Sequence, residues 1–351
     1  MSSLRHSLIG AALRVISATR ADRLLGGAFA GRGVILTLHH VRLASDREFA
    51  ENRLLEISPS FLEALIRLLR DLDYDIIPIG QLKQRLDAAA TSRRFAILTF
   101  DDGYRDTRDY ALPILQSYQA PCVIYAVPGF ADRSTPLWWC DLEDVVRARD
   151  AIDIDIGGRR LVHPTKTMIE KSAGFRRLYW ALRSLPDLDA TALVAAMAAD
   201  SRIDTIGRVA RICMDWHELR DVARDPLVTI GAHSLTHPRL KTLSDAEAQR
   251  EIIASKTRLE EALGQPVHHI AYPVGDRTSA GMREFAFARA AGFETGVTTR
   301  PGVLVESHAR HLTALPRLSV NGLFQKSSQM RALLSGLPMA IANRGRMLNV
   351  D

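Results

Sequence analysis

The sequence predicts an α/β fold in which six or seven βα units close, or nearly close, into a barrel. Three observations carry this. From residue 33 onward, short runs rich in Val, Ile and Phe alternate with longer segments of helical period, the pattern of a parallel sheet covered by helices. The helical segments open on recognisable start signals. Titratable residues stand just past the carboxyl ends of several apolar runs, at the rim where βα barrels assemble their active sites.

Residues 34–38 read as the first strand, with His39 and His40 at its end. Ser58 and Pro59 supply an N-cap and a first-turn proline, and Phe61, Leu62, Leu65, Leu68, Leu69 and Leu72 follow on one helical face. Further strands are expected at 74–79, 95–100, 121–127, 227–232, 269–272, 293–298 and 315–320. The segment Ser244-Asp245-Ala246-Glu247 is a capping box that opens a helix between two of them. Between about 131 and 225 the alternation fades into a mainly helical, arginine-rich stretch containing Trp138, Trp139, Tyr179, Trp180 and Trp216, read as an insertion over the same rim. The chain thus divides into an amphipathic helical segment (1–30), a barrel with its insertion (31–321) and a basic tail (322–351).

Composition narrows the class. With 47% hydrophobic and 25% charged residues the chain is an ordinary globular protein, which excludes a disordered or fibrous one. The net charge of +6 is spread along the sequence, and only six of the 46 basic residues are lysines, so no block or module argues for nucleic-acid binding. Cys122, Cys140 and Cys213 are odd in number and far apart, which indicates no disulfide framework. Arg5 precedes a short apolar run, and Ala28-Phe29-Ala30 imitates a cleavage site, but Arg14, Arg20, Asp22 and Arg23 interrupt the space between. No export signal is therefore expected. The expected location is the cytoplasm, with peripheral membrane docking through the basic ends, including the amphipathic stretch 330–341, as the sharper alternative.

The chemistry concentrates in two motifs. Asp101 and Asp102 follow the apolar run 95–98 and precede Gly103, so two carboxylates emerge together from a buried strand, where each disfavours ionisation of the other unless a cation intervenes. His233 and His237 project from one turn after the strand ending at Ala232. Two imidazoles and one carboxylate form a three-ligand set with positions left open, the form of a catalytic metal site. On donor type alone the set accepts Zn2+, Co2+, Ni2+ or Mn2+, with zinc favoured by availability.

Over roughly residues 33–320 the chain resembles the polysaccharide deacetylases, the NodB-homology or carbohydrate esterase family 4 enzymes. The resemblance rests on Thr99-Phe100-Asp101-Asp102-Gly103, on His233-Ser234-x-x-His237 and, more loosely, on Ile270-Ala271-Tyr272-Pro273-Val274-Gly275. It implies a distorted barrel of seven βα units, Asp101 as catalytic base, Asp102, His233 and His237 as ligands of a divalent metal, and the Val274 N–H at the oxyanion. The third motif has Ala271 where many members have Arg, and the last strand, around Leu315-Pro316-Arg317-Leu318, lacks their His. The general acid then falls to the first strand. Leu38-His39-His40-Val41 resembles the element of a branch that deacetylates exported glucosamine polymers, which makes His39 the expected acid and His40 the next candidate. Arg317 is expected to orient Asp101 in place of the missing Arg, with a structural role as the alternative. Trp138 and Trp139 read as packing for an inserted helix or as a sugar-stacking wall, Tyr104 and Arg105 as substrate contacts or a helix start, and His308 and His311 as solvated. The expected function is metal-dependent removal of acetyl groups from N-acetylated carbohydrate. The alternatives are the same site acting on a non-sugar amide or cyclic imide, and an inactive carbohydrate-binding relative in surface-polysaccharide assembly. Oligomeric state is not encoded in any recognisable pattern.

Overall fold

Seven parallel strands close into a ring in the computed structural model, which describes residues 3–20, 27–44, 46–89 and 93–350, with the side chains of 3–9 left aside. Asp22 and Arg23, two of the four charges read above as interrupting a leader-like segment, lie outside the described residues, as does the side chain of Arg5 that precedes it. The ring consists of β1 (Gly33–Leu38), β2 (Arg94–Phe100), β3 (Cys122–Ala126), β4 (Val228–Ala232), β5 (His269–Ala271), β6 (Thr295–Pro301) and β7 (Leu315–Ser319). Each strand pairs with its successor, and β7 pairs back onto β1 through Leu36 and Leu318. The register shifts between Val297 and Pro301, an irregularity in β6.

Alternation along these strands sorts the core into two layers. Even-numbered Leu36, Leu98, Ile124, Ile230 and Ile270 pack outward in the cluster shared with the helices. Odd-numbered Ile35, Ile97, Val123, Tyr125, Ala271, Val297 and Leu315 form a separate cluster within the ring. Because side chains alternate with a period of two, the inward rows continue upward through Thr37 to His39, through Thr99 to Asp101, through Gly231 to His233, and to Arg317. The registered closure of the ring therefore brings groups far apart in sequence into one lumen.

The helix Pro59–Asp71 begins as anticipated, with Ser58 Oγ accepting from the Phe61 N–H at 3.1 Å and Pro59 in the first turn. The capping box at Ser244 and Glu247 opens the helix Asp245–Leu263, which ends at Gly264 with a left-handed φ of 69°. The strand expected at 74–79 is shorter: Tyr74–Ile76 adds to the beginning of β2 and takes no place in the ring. Pro78, with no N–H to donate, turns the chain into a 3-10 segment.

The insertion is mainly helical, yet it also holds an antiparallel hairpin, Ala151–Ile156 with Arg159–Pro164, turned by Gly157 and Gly158. Leu142, Ile152, Phe175, Leu178 and Val194 give it an apolar cluster of its own. It is tied to the rim by the Met214 N–H donating to the Gly103 carbonyl at 3.0 Å. At the other end of the chain, Ser327–Leu334 packs against the helix Ser3–Ala18, whose Leu13 and Ile16 are buried. Among the described residues no helix is long and apolar enough to cross a membrane.

The filling of the lumen is tight at Gly231, where a Cβ would stand 2.5 Å from the Tyr125 ring. Gly231→Ala is expected to lose about 1–3 kcal/mol of stability through overpacking. Denaturant unfolding measures this, and an unchanged midpoint would mean that Tyr125 yields without cost.

Candidate metal centre and active site

The turn after β2 separates its two carboxylates. Asp101 remains on the inward row, its N–H donating to the Leu38 carbonyl at 2.9 Å. Asp102 takes a left-handed φ of 71° where the chain enters the turn at Gly103. Both are buried, so each needs positive charge close by.

Asp101 receives it from β7. Arg317 Nη1 and Nη2 donate to its two oxygens at 2.7 Å each, a bidentate pair, while Nε donates to the Thr298 carbonyl and Nη1 also reaches Thr99 Oγ1 at 3.0 Å. The guanidinium lies over the Tyr125 ring at 5.8 Å and is fully buried. Burial alone would raise the pKa of Asp101; the Arg317 charge and the nearby imidazoles outweigh it and hold the carboxyl below its ordinary range. His39 stands on the other side, with Nε2 4.0 Å from Asp101 Oδ2 and a side chain 21% exposed. Its pKa is lowered, chiefly by desolvation against the opposing pull of Asp102 and Asp101.

Asp102 faces the two histidines. His233 Nε2 and His237 Nε2 approach its Oδ1 at 3.5 and 3.3 Å, yet that buried oxygen accepts no hydrogen bond. His233 Nδ1 is 2.7 Å from the Ala271 carbonyl, which can only accept, so Nδ1 carries the proton and Nε2 presents a lone pair in the neutral ring. Three ligand atoms of Asp102, His233 and His237 lie within 4.8 Å of one another. An orphaned carboxylate oxygen facing two imidazole nitrogens is the donor set of a divalent cation, and these residues fit one.

Several neighbours could not be ranked from sequence. Glu251, on the helix Asp245–Leu263, accepts at Oε2 from the Leu235 and Thr236 N–H groups at 2.9 and 2.8 Å, and at Oε1 from Thr236 Oγ1 at 2.7 Å. It clamps the loop between the two histidines, where Ser234 and His237 have φ of 56° and 63°. In the structure Glu251 shares the buried face of Ala248, Ile252, Ser255 and Leu259. Trp139 is buried, with its ring 4.9 Å from that of His237 and at 6.3 Å from Phe130. Asp106 binds His40 Nδ1 at 2.6 Å.

The other sequence candidates separate. His40 is stacked on the buried Tyr104 at 3.6 Å, and its Nδ1 is held by Asp106. Arg105 is committed to Glu218 and to the carbonyls of Ala210 and Arg211. His308 was expected in solvent, but it is buried: its Nδ1 accepts from the Val305 N–H at 3.0 Å, and desolvation lowers its pKa to about 4. Val274 centres a γ-turn in which the Gly275 N–H meets the Pro273 carbonyl at 2.6 Å, with a φ of 60° that is costly for a β-branched residue. Thr299 Oγ1 holds the Val274 carbonyl at 2.6 Å, and the Val274 N–H has no partner among the described residues.

The role of Glu251 in holding the ligand loop can be measured. Glu251→Ala is expected to weaken divalent-metal affinity by about 10–100-fold, and Glu251→Gln, which keeps an acceptor for the two N–H groups, by much less. Competition with a chromogenic chelator reads the affinity; equal values for all three proteins would remove that role.

Comparison with known proteins places this geometry in a family. The polysaccharide deacetylase family model matches residues 88–294. The poly-beta-1,6-N-acetyl-D-glucosamine N-deacetylase of Escherichia coli K12 is 29% identical over 100 residues, which are 28% of this chain and only 14% of that protein. Among solved structures, the Streptococcus pyogenes deacetylase PplD in complex with acetate aligns over 82% of this chain and 92% of its own, with a TM-score of 0.54 and 18% identity. IcaB from Ammonifex degensii aligns over 87% and 97%, with a TM-score of 0.54 and 14% identity, and both structures agree with the barrel fold. With a family model covering more than half its length and both carboxylate and histidine motifs inside that span, the chain belongs to the polysaccharide deacetylase family.

Proposed function

We propose that this protein is a metal-dependent hydrolase that removes acetyl groups from N-acetylated carbohydrate. The observation that carries this reading is the division of the carboxylate pair: Asp102 faces His233 and His237, while Asp101 is held ionised by Arg317 beside the same centre. Zinc is the cation we assign to Asp102, His233 and His237, and the same donors accept Co2+, Ni2+ or Mn2+. When bound, such an ion supplies Lewis acidity and lowers the pKa of water.

The chain's own residues then divide the proton work. Asp101, a carboxylate at neutral pH, takes a proton from the attacking water. The developing oxyanion is met by the Val274 N–H, whose carbonyl is fixed by Thr299. His39 takes up that proton and delivers it to the departing nitrogen, a reading supported by its Nε2 lying 4.0 Å from Asp101 Oδ2. Its lowered pKa suits a group that is neutral at rest and charged only during turnover. Arg317 keeps Asp101 oriented and ionised and is a positioning residue. N-acetylglucosamine-containing material is the favoured substrate, in keeping with the name of the Escherichia coli relative.

The test is acetate release from N-acetylglucosamine oligomers by metal-loaded protein, beside Asp101→Asn. Wild type is expected to release acetate, and the variant is expected to keep its metal and lose at least about a hundredfold in rate, the scale of a general base. A fully active variant would remove Asp101 from the mechanism. Arg317→Lys exchanges a bidentate partner for a point charge, which raises the Asp101 pKa. Since Asp101 works as the anion, the acidic limb of kcat/KM is expected to move to higher pH; an unmoved limb would assign it to another group.

A further inference from the structure

An aromatic ladder leads from the candidate metal centre out across the insertion. The His237 ring lies 4.9 Å from Trp139, Trp139 meets Trp138 edge-on at 6.1 Å, Trp138 stacks on Tyr179 at 5.5 Å, and Tyr179 meets Trp180 at a right angle at 5.5 Å. Its inner members are packing groups, with Trp139 buried and Trp138 and Tyr179 half-buried. The outer end is different: Trp180 is 47% exposed.

A second route ties Trp180 to the same rim. The Arg183 guanidinium lies over the Trp180 ring at 5.5 Å, and its Nη2 reaches Asp276 Oδ2 at 3.1 Å. Asp276 is two residues past Val274, in the loop that presents the N–H assigned to the oxyanion. One indole is thus fixed relative to both His237 and Val274. The cation that covers part of the ring is itself anchored to Asp276, and the indole remains exposed beside that frame.

We propose that Trp180 is an outer subsite for the carbohydrate chain, on which a pyranose ring some units away from the acetyl group being removed lays its apolar C–H face. An exposed aromatic face in an ion-paired frame suits a ligand with alternating apolar and hydroxyl surface. The proposal rests on the deacetylase reading above, and it makes the insertion a device for gripping a polymer.

The experiment uses the full chain in the Asp101→Asn background, where binding is read without turnover. Calorimetry with N-acetylglucosamine dimer and pentamer is run on that protein and on the same protein carrying Trp180→Ala or Trp180→Phe. The alanine variant is expected to bind pentamer about tenfold more weakly, the size of losing one aromatic face, with the preference for pentamer over dimer reduced accordingly. Phenylalanine is expected to restore most of the loss, which a general disturbance of the helix would not. Equal pentamer affinity in the presence and absence of the indole would overturn the subsite, and acetate release by wild type would then leave the deacetylase reading standing. Failure of wild type to release acetate, together with no oligomer binding, would overturn both.

Discussion

Two adjacent carboxylates buried at the end of one strand cannot both stay ionised without help, and much of the site is organised by that constraint. Asp101 and Asp102 are 2% and 3% exposed, where an uncompensated charge is costly. The fold answers each differently. Asp101 is matched by a guanidinium that arrives from β7, more than two hundred residues away in sequence. Asp102 is turned by its left-handed backbone toward two imidazoles, one with its proton committed to a carbonyl, so that what remains in front of it is a place for a cation. The same chemical group is thereby given an ion-pair partner in one position and a pair of imidazoles in the next.

Holding these groups apart requires local strain. Asp102, Ser234, His237 and Val274 all have φ between 56° and 71°, four non-glycine residues in a backbone region that L-amino acids avoid. Such residues persist where surroundings over-determine them. Here the surroundings are the Glu251 clamp on the histidine loop, the Ser234 hydroxyl accepting from the His237 N–H, and Thr299 on the Val274 carbonyl. The rigid lumen beneath, filled by Tyr125 opposite Gly231, gives these loops a fixed base.

The insertion adds a third layer to this arrangement. It has its own apolar cluster, so it folds around itself and leans on the barrel through specific links. Arg239, two residues after His237, donates to Asp187 and to the carbonyls of Arg183 and Leu185, which joins the insertion to the ligand loop. Trp139 lies against the ring of His237. The insertion is in this way coupled, through Arg239 and Trp139, to the loop that carries His233 and His237.

What the sequence determined by itself was periodic and local. Alternation of apolar runs with helical segments identified the barrel, because burial on both faces of a strand leaves a mark in composition. Asp101, Asp102, His233 and His237 were legible because motif and strand end coincide, and Ser58 and Ser244 because capping is decided within four residues. Tertiary structure alone decided the rest. Whether His39 or His40 enters the lumen depends on strand parity and on Asp106, and the burial of His308 depends on the packing of its loop. Glu251 was hidden because an acidic residue on a helix usually faces water. Arg317 was expected beside Asp101 from the resemblance, with a structural role as the alternative; the bidentate geometry exists only because a ring of seven strands closes in register, a long-range event that no local pattern records.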